Sequence, residues 1–374
     1  NRRWVAIVIS QHAHSRKLNQ ISIFSKEEKL MSKFKKVVSF AVSCMLAVGI
    51  MGTSFAATLP EDVLGTKYEE SVSLLQALKI MVGDKDTGDF RLEDGILRSE
   101  VAKIAVTMAG LNDVAESSKE KSDFPDVVEG HWGAGYINVA AAQGFVIGDD
   151  WGNFRPDDKI TYAEAVTILT RVLGYEPSAR TKGGFPTGYL VVAGQNGMLS
   201  NGATSGANNQ ATRGLVAQLA YNALTIDMME RTGYGSTEDY EVVDKTLLED
   251  KLEVSKLYGQ VVANNESTLS SSSNLKEDEV QIKVNGQIET YKTNGTNAKN
   301  FLARNVVVYV QEDEATDDLN IILIRNDSNK NEELSIVAKN IDSYADNTVK
   351  YWINKNTDKK VSEADLAENA VVFY

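Results

Sequence analysis

Three stretches of this sequence follow one plan, in which a helical segment and a glycine-containing loop precede a second helix that opens with a polar tetrad. In the middle stretch the loop holds Gly152 and the tetrad ends at Glu164. In the first stretch Gly88 and Glu100 occupy the same places, each 64 residues earlier, and the third stretch carries its tetrad at 212–215. A unit of this length cannot bury a core alone, so the repetition predicts copies that pack against one another.

The second helix of each copy carries an apolar stripe on one face. In the middle copy the stripe recurs at i, i+3, i+4, i+7 and i+8, which is the spacing of an amphipathic helix. The three stripes are Val101, Ile104, Ala105 and Met108; Ala165, Ile168, Leu169, Val172 and Leu173; and Val216, Leu219, Ala220, Ala223 and Leu224. We therefore expect these helices to pack around a common axis. The first helices are predicted over 71–81, 135–143 and 189–196.

The tetrad has a local role at the start of the second helix. Thr161 at the N-cap and Glu164 three residues later match a capping box, which satisfies backbone N–H groups that the first turn leaves free. The first copy keeps Glu100 but lacks the Thr, whereas the third copy keeps Thr212 but lacks the Glu. Each copy therefore departs from the full pattern in a different place.

The motifs of the middle copy, taken in order, resemble those of the S-layer homology (SLH) domain. They are Phe124-Pro125-Asp126, His131-Trp132, Gly-x-Phe-x-Pro-Asp from Gly152, and the tetrad from Thr161. The resemblance implies three SLH repeats, over 59–120, 121–178 and 179–230, that form a pseudo-threefold, three-pronged spindle around a helical bundle. It also implies binding of secondary cell-wall polysaccharide, commonly a pyruvylated one, in grooves between repeats.

The resemblance further implies which residues bind the polysaccharide. Arg98 and Arg213, second in their tetrads, would face the grooves, where a guanidinium and the free N–H groups of a helix start suit an anion. A surface Arg in the first turn is the alternative. Tyr162 replaces this Arg in the middle copy and would stack on a sugar or simply pack, so at most two anion sites are expected. Trp132 is either a sugar platform or a core residue. The predicted binding set is Arg98, Arg213, Glu100, Glu164, Tyr162 and Trp132.

Catalytic and metal sites are not indicated by the sequence. It contains no Gly-x-Ser-x-Gly, no phosphate-binding loop and no His-Glu-x-x-His, and His131 is the only histidine after residue 57. The acidic loop at 84–89 departs from the EF-hand pattern because its twelfth position is Gly95. We predict no enzyme activity and no cofactor, with calcium in this loop or in the acidic loop at 312–318 as a minor alternative.

The N-terminal part of the chain has the pattern of a targeting segment. A basic start at Met31, an apolar run over 37–51 and small residues ending at Ala57 predict a secretory signal peptide over 31–57. Residues 1–30 are expected to be upstream or leader sequence outside the fold. Cys44, the only cysteine, lies in the apolar run, so cleavage near Ala57 leaves none for disulfides. A lipoprotein anchored at Cys44 is the alternative.

The charge that remains after residue 57 is strongly negative. Nine of the 39 basic residues but only two of the 52 acidic ones lie in residues 1–57, so the remainder has a net charge of −20. Such a chain is a poor ligand for nucleic acids and for anionic lipid surfaces. We therefore expect no nucleic-acid partner and no membrane contact once the signal peptide is removed.

After the third copy the pattern changes from helices to strands. An acidic connector over 231–256, with a short helix at 246–254, leads into a β-rich region over 257–374 that we expect to be truncated. Asn285-Gly286 between alternating segments predicts a two-residue hairpin. The predicted strands are 257–263, 279–284, 287–292, 306–311, 319–325, 334–338, 349–353 and 370–374.

Together these patterns predict an α+β multidomain chain, a mostly helical trio followed by β-rich structure. The function that we expect is non-covalent anchoring of a secreted surface protein to the cell wall, as part of an S-layer or surface array that self-associates into a lattice. The alternatives are a surface polysaccharide-degrading enzyme or an adhesin whose effector domain lies beyond residue 374.

Overall fold

The computed structural model describes residues 4–10, 59–118, 122–233, 239–269, 274–337, 340–345, 348–353, 362–365 and 371–373. The chain divides into two compact units, one of residues 55–300 with 307–325, and one of residues 1–54, 301–306 and 326–374. The predicted signal peptide over 31–57, including Cys44, lies outside the described residues. No helix within the described ranges is long and apolar enough to cross a bilayer.

The helices of the larger unit follow the predicted repetition. They are α1 (Glu69–Ala77), α2 (Arg98–Met108), α3 (Asn112–Ser117), α4 (Ala134–Ala142), α5 (Tyr162–Val172), α6 (Glu176–Thr181), α7 (Thr187–Gln195) and α8 (Arg213–Ala223). The predicted first helices are confirmed as α1, α4 and α7, and the predicted second helices as α2, α5 and α8. The short helices α3 and α6 were not predicted, because six residues are too few to show a helical period.

The second helices form the centre of the helical part. All the stripe residues of α2, α5 and α8 are buried. The helix α5 packs against both α2 and α8. The expectation that the second helices pack against one another is therefore confirmed for α5 with each of the other two.

The three copies close into a ring at the residues just before their tetrads. The Ile96 N–H donates to the carbonyl of Ala211 at 3.1 Å, Ala211 donates to Ile160 at 2.9 Å, and Ile160 donates to Ile96 at 3.0 Å. Each copy thus gives one backbone hydrogen bond to a neighbour and receives one from the other. This cyclic arrangement is the pseudo-threefold geometry that the resemblance implies.

The strands are, in chain order, β1 (Trp4–Ser10), β2 (Asp227–Arg231), β3 (Tyr240–Thr246), β4 (Val254–Asn264), β5 (Glu279–Val284), β6 (Gln287–Lys292), β7 (Asn305–Glu312), β8 (Leu319–Asn326), β9 (Asn331–Val337), β10 (Ile341–Ala345), β11 (Thr348–Tyr351), β12 (Ser362–Asp365) and β13 (Val371–Phe373). They include a strand at each predicted position. The strands β1, β2, β3, β10 and β12 were not predicted.

In the larger unit β2 and β3 form a hairpin, and five strands close a barrel in the order β4-β5-β6-β8-β7. The predicted hairpin is confirmed, because Asn285 and Gly286 both have positive φ, at 51° and 86°, as a type I′ turn requires. The short helix predicted at 246–254 is present as a π-helical turn, Leu247–Lys251, which the Thr246 hydroxyl caps at the Glu249 N–H. It is shorter than predicted, because Thr246 ends β3 and Val254 begins β4.

In the smaller unit β13, β1 and β9 form one sheet, and β10, β11 and β12 form another. The antiparallel pairing of β1 with both neighbours differs from the expectation that residues 1–30 lie outside the fold. The physical reason is compositional, since the segment from Trp4 to Ser10 is rich in β-branched and aromatic residues, which favour strands.

Candidate functional site at the junctions between copies

Each tetrad lies against the loop of a neighbouring copy. At the first junction the Arg98 N–H donates to the Asp158 carbonyl at 3.0 Å, and the Ser99 N–H donates to the Pro156 carbonyl at 3.1 Å. The other two junctions repeat this pair of backbone bonds. At one, the Arg213 N–H donates to the Asp94 carbonyl and the Gly214 N–H to the Leu92 carbonyl. At the other, the Tyr162 N–H donates to the Asn209 carbonyl and the Ala163 N–H to the Ala207 carbonyl. These N–H groups at the helix starts are therefore already bound to protein carbonyls, so the expectation that they receive an anion is wrong.

Arg98 joins the first copy to the second. Its Nε donates to the Phe154 carbonyl at 2.8 Å, and its Nη1 pairs with Glu164 Oε1 at 2.9 Å. The guanidinium also lies over the Phe154 ring, 5.2 Å from the ring centre. The side chain is only 7% exposed. Arg98 is therefore a buried ion-pair partner, whereas we expected it either to face a groove or to lie on the surface.

Arg213 makes the same contacts from the third copy to the first. Its Nε donates to the Phe90 carbonyl at 2.8 Å, its Nη1 pairs with Glu100 Oε1 at 2.9 Å, and its Nη2 donates to the Val82 carbonyl at 2.9 Å. It lies 5.1 Å from the centre of the Phe90 ring and is 9% exposed. Arg213, like Arg98, therefore neither faces a groove nor lies on the surface, because its guanidinium group donates its hydrogen bonds to the neighbouring copy.

The third junction lacks this ionic set. Tyr162 stands where the other copies have Arg, is 2% exposed, and donates its hydroxyl to the Ala203 carbonyl at 2.9 Å. In the third copy Leu215 replaces the Glu, and Ser205 stands where the others have Phe90 or Phe154. Of the two roles predicted for Tyr162, packing is therefore confirmed, and stacking of a sugar on its ring is excluded because the side chain is buried.

A cation that the sequence reasoning missed lies on the outside of the Arg98 junction. Arg155 adopts φ 61° and is 41% exposed, and its Nη2 pairs with Glu164 Oε1 at 3.0 Å. Among the described residues, its Nε and the Ser99 Oγ at the same junction are buried atoms without a hydrogen-bond partner. Arg91 occupies the same position at the Arg213 junction, with φ 60° and a half-exposed side chain. Arg91 and Arg155 each follow directly after Gly-x-Phe in their copies, and this repeated position could have identified them from the sequence.

An Asp carboxylate holds each of these loops in shape. Asp126 accepts the N–H groups of Phe154 at 2.9 Å and Arg155 at 2.6 Å, which fixes the left-handed residue. Asp62 does the same for Phe90 and Arg91 in the first copy. This explains the Asp of the Phe-Pro-Asp motif. Asp62 was missed because Leu59-Pro60-Glu61, which precede it, do not match that motif.

Two tryptophans flank the loop that carries Arg155. Trp132 is 51% exposed and stacks on His131, whose Nε2 lies 3.4 Å from Asp157 of the loop. Trp151 is 83% exposed, and its backbone N–H donates to the Asp149 carboxylate, which itself lies 3.7 Å from the Arg155 Nε. Trp132 is therefore not a core residue, which was the alternative to its role as a sugar platform. Trp151 was missed because Thr87 stands at its position in the first copy, so the repeat pattern does not mark it.

The acidic loop at 84–89 forms a turn through its own side chain. The Asp84 carboxylate accepts the N–H groups of Asp86 at 3.0 Å and Thr87 at 3.2 Å. Within the part of the chain that the structure describes, no group of three or more His, Cys, Asp or Glu residues could hold a metal ion. The prediction that the protein works without a cofactor remains a prediction.

The Glu164 carboxylate gives the Arg98 junction a pH dependence. Burial alone raises its pKa, but the Thr161 N–H and the charges of Arg98 and Arg155 lower the pKa overall, below the ordinary value of 4.5. Because the folded pKa is the lower one, this group stabilises the fold fully above about pH 4.5, and the contribution is lost as the pH falls through the folded pKa.

We therefore expect the free energy of unfolding of the unsubstituted chain to fall more steeply between about pH 5 and pH 3 than that of Glu164→Gln. Urea unfolding at several pH values, followed by circular dichroism of the helices, measures both slopes. Glu241→Gln, at an exposed glutamate of β3, is the control. Equal slopes for the unsubstituted chain and Glu164→Gln would show that this carboxylate is not linked to folding.

A comparison with known protein families identifies the middle copy. The sequence profile of the S-layer homology domain matches residues 123–166. The chain belongs to the S-layer homology domain proteins. The matched residues cover the loop side of the Arg98 junction, from Phe124 to Glu164, while Arg98 itself comes from the preceding copy. The junction is thus completed by a residue outside the matched SLH domain.

Long stretches of the chain are also similar to named surface proteins. The identity is 31% over 299 residues to the middle cell wall protein of Brevibacillus brevis, covering 75% of this chain and 28% of that protein. It is 31% over 332 residues to a surface layer protein of Brevibacillus choshinensis, covering 80% and 28%. A cell surface protein of Thermoanaerobacter kivui is 28% identical over 283 residues, covering 75% and 35%. This SLH protein chain spans about a third or less of these relatives.

Proposed function

We propose that this SLH protein anchors itself non-covalently to the cell wall, as a secreted component of an S-layer or similar surface array. Binding of wall polysaccharide at the junctions between copies would hold it there. The family and the names of the relatives, which are cell wall and surface layer proteins, support this function. We further propose that all three copies are SLH repeats and that the chain acts without catalysis.

The observation that carries the proposal is the surface beside the Arg98 junction. Trp132 and Trp151 present exposed rings near the loop that carries Arg155, and the Arg155 side chain is 41% exposed although it pairs with Asp149 and Glu164. Flat aromatic rings suit the apolar faces of sugars, and a guanidinium suits a carboxylate in bidentate geometry. A polysaccharide that carries carboxylate groups, such as pyruvyl substituents, would satisfy both. In this proposal Arg98 and Glu164 position the loop, and Arg155 and the tryptophans contact the polymer.

The three junctions are not expected to contribute equally to polysaccharide binding. The Arg98 and Arg213 junctions share the ionic set and the exposed Arg155 or Arg91, whereas the junction at Tyr162 has neither. We therefore propose two polysaccharide sites in each chain. Two weak sites on one rigid body give a polymeric ligand a much higher apparent affinity than either site alone.

Replacing Trp132 and Trp151 together by Ala is expected to weaken binding to purified wall polysaccharide by about tenfold or more, because large exposed aromatic rings contribute most to such contacts. Co-sedimentation of the full chain with the insoluble polysaccharide measures the affinity. Ile353→Ala, which removes an apolar side chain that is 74% exposed in the smaller unit, is the control. Unchanged binding by the double variant would remove the tryptophans from the site, and no binding by the unsubstituted chain would overturn the function.

A further inference from the structure

A polar cleft lies at the opposite end of α8 from the junctions. It has a volume of about 590 Å³ and is lined by fourteen residues of the larger unit. The helix begins at the junction residue Arg213, and Tyr221 and Asn222 of its last turn line the cleft. At a rise of 1.5 Å per residue, eight residues place about 12 Å between Arg213 and Tyr221. The cleft is therefore separate from the proposed polysaccharide sites.

The walls of the cleft are fixed by hydrogen bonds within the protein. The buried Asn222 donates through Nδ2 to the carbonyls of Met198 at 2.9 Å and Ser200 at 3.0 Å, which shapes the turn on one side. On the other side the Tyr175 hydroxyl donates to the Asp227 carbonyl at 2.9 Å. A site whose walls are held in advance loses little entropy when a ligand binds.

The chemistry of the lining is that of hydroxyls and amides. Eight of the fourteen lining side chains end in one of these groups, and three are aliphatic, Leu74, Ile226 and Val242. Most small-molecule pockets are lined mainly by apolar groups, so this composition selects a ligand that is itself covered with hydrogen-bonding groups. Among the lining residues Lys256 is the one cation and Asp227 the one carboxylate, which favours a ligand without net charge.

The open side of the cleft supplies polar groups that face solvent. Ser200, Asn201 and Thr225 are all exposed there. On the barrel side the Lys256 ammonium lies 5.7 Å from the centre of the Tyr309 ring, and that tyrosine is buried. The barrel strands β4 and β7 therefore complete a site that the third copy alone does not form.

We propose that this cleft binds an N-acetylated amino sugar within a glycan. The exposed Ser200, Asn201 and Thr225 groups would meet the sugar hydroxyls and the N–H and carbonyl of the acetamido group, and the aliphatic residues would cover its methyl group. This site is independent of the polysaccharide sites at the junctions, so the chain would hold two kinds of glycan at once.

The test is a calorimetric titration of the full chain with chitotetraose, a linear oligomer of N-acetylglucosamine. We expect saturable binding that Thr225→Val and Ser200→Ala each weaken by about fivefold, the effect of one lost hydrogen bond. Asn208→Ala, which removes an exposed amide of the same copy outside the cleft, is expected to bind as the unsubstituted chain does. Maltotetraose, which has hydroxyls but no acetamido groups, is expected not to bind.

Several results would overturn this proposal. No binding of chitotetraose by the unsubstituted chain would do so, as would equal losses in Asn208→Ala and the cleft variants, or equal binding of maltotetraose. Loss of chitotetraose binding in the double variant of Trp132 and Trp151 would assign the sugar to the Arg98 junction instead. Failure of the chain to bind wall polysaccharide, by contrast, would leave the cleft proposal standing.

Discussion

Replacing Arg213 by Met is expected to lower the free energy of unfolding of the helical part by about 3 kcal/mol. The change removes hydrogen bonds to the Phe90 and Val82 carbonyls and leaves the Glu100 carboxylate without its partner in a largely buried place. Removing one member of such a pair costs more than the pair itself contributes, because the remaining charge is poorly solvated. Urea unfolding followed by the helical circular dichroism signal measures the difference.

Arg155→Met is the matched control for Arg213→Met. It also removes an arginine that pairs with a tetrad glutamate, but from a half-exposed position where ion pairs contribute little. We expect a loss of less than about 1 kcal/mol. Equal and small losses in the two variants would mean that Arg213 is a surface residue and that the description of the junctions is wrong. The pair also separates stability from binding, because Arg155→Met should weaken polysaccharide binding in a folded chain.

Gly174→Ala is expected to destabilise the chain by about 3 kcal/mol or more, because the new side chain has no room. Gly174 ends the second helix of the middle copy with φ 83°, and a Cβ built there would lie 2.0 Å from the Met229 carbonyl oxygen of β2. That backbone cannot yield easily, since the Met229 N–H is itself bonded to the Leu173 carbonyl at 2.9 Å. Thermal or urea unfolding measures the loss.

Gly144→Ala is the control that separates crowding from backbone conformation. Gly144 has φ 72°, and a Cβ there would meet nothing within 4 Å. We therefore expect the free energy of unfolding to fall only by the cost of placing Ala in the left-handed conformation, about 1 kcal/mol. If both variants lose the same amount, the close approach of β2 to Gly174 does not exist in solution. Gly110, 64 residues before Gly174, has an equivalent contact with the Lys251 carbonyl and should behave like it.

The sequence predicted the fold well where a pattern is local. The apolar stripes placed the second helices, because a 3.6-residue period is set by the helix itself and not by its neighbours. The capping box at Thr161 was confirmed, with the Thr161 Oγ1 accepting the Glu164 N–H and the Glu164 carboxylate accepting the Thr161 N–H. The Asn285-Gly286 hairpin was confirmed for the same reason, since both residues tolerate positive φ.

The sequence by itself therefore determined the repetition, the helix starts and the family. Only the tertiary structure decided where the tetrad arginines point, because each contacts a loop of another copy, 56 residues away for Arg98 and 123 for Arg213. A spacing along the chain says nothing about which surface a long side chain meets after the copies close into a ring. That closure buried Arg98, Arg213 and Tyr162 and left Arg155, Trp132 and Trp151 exposed to solvent.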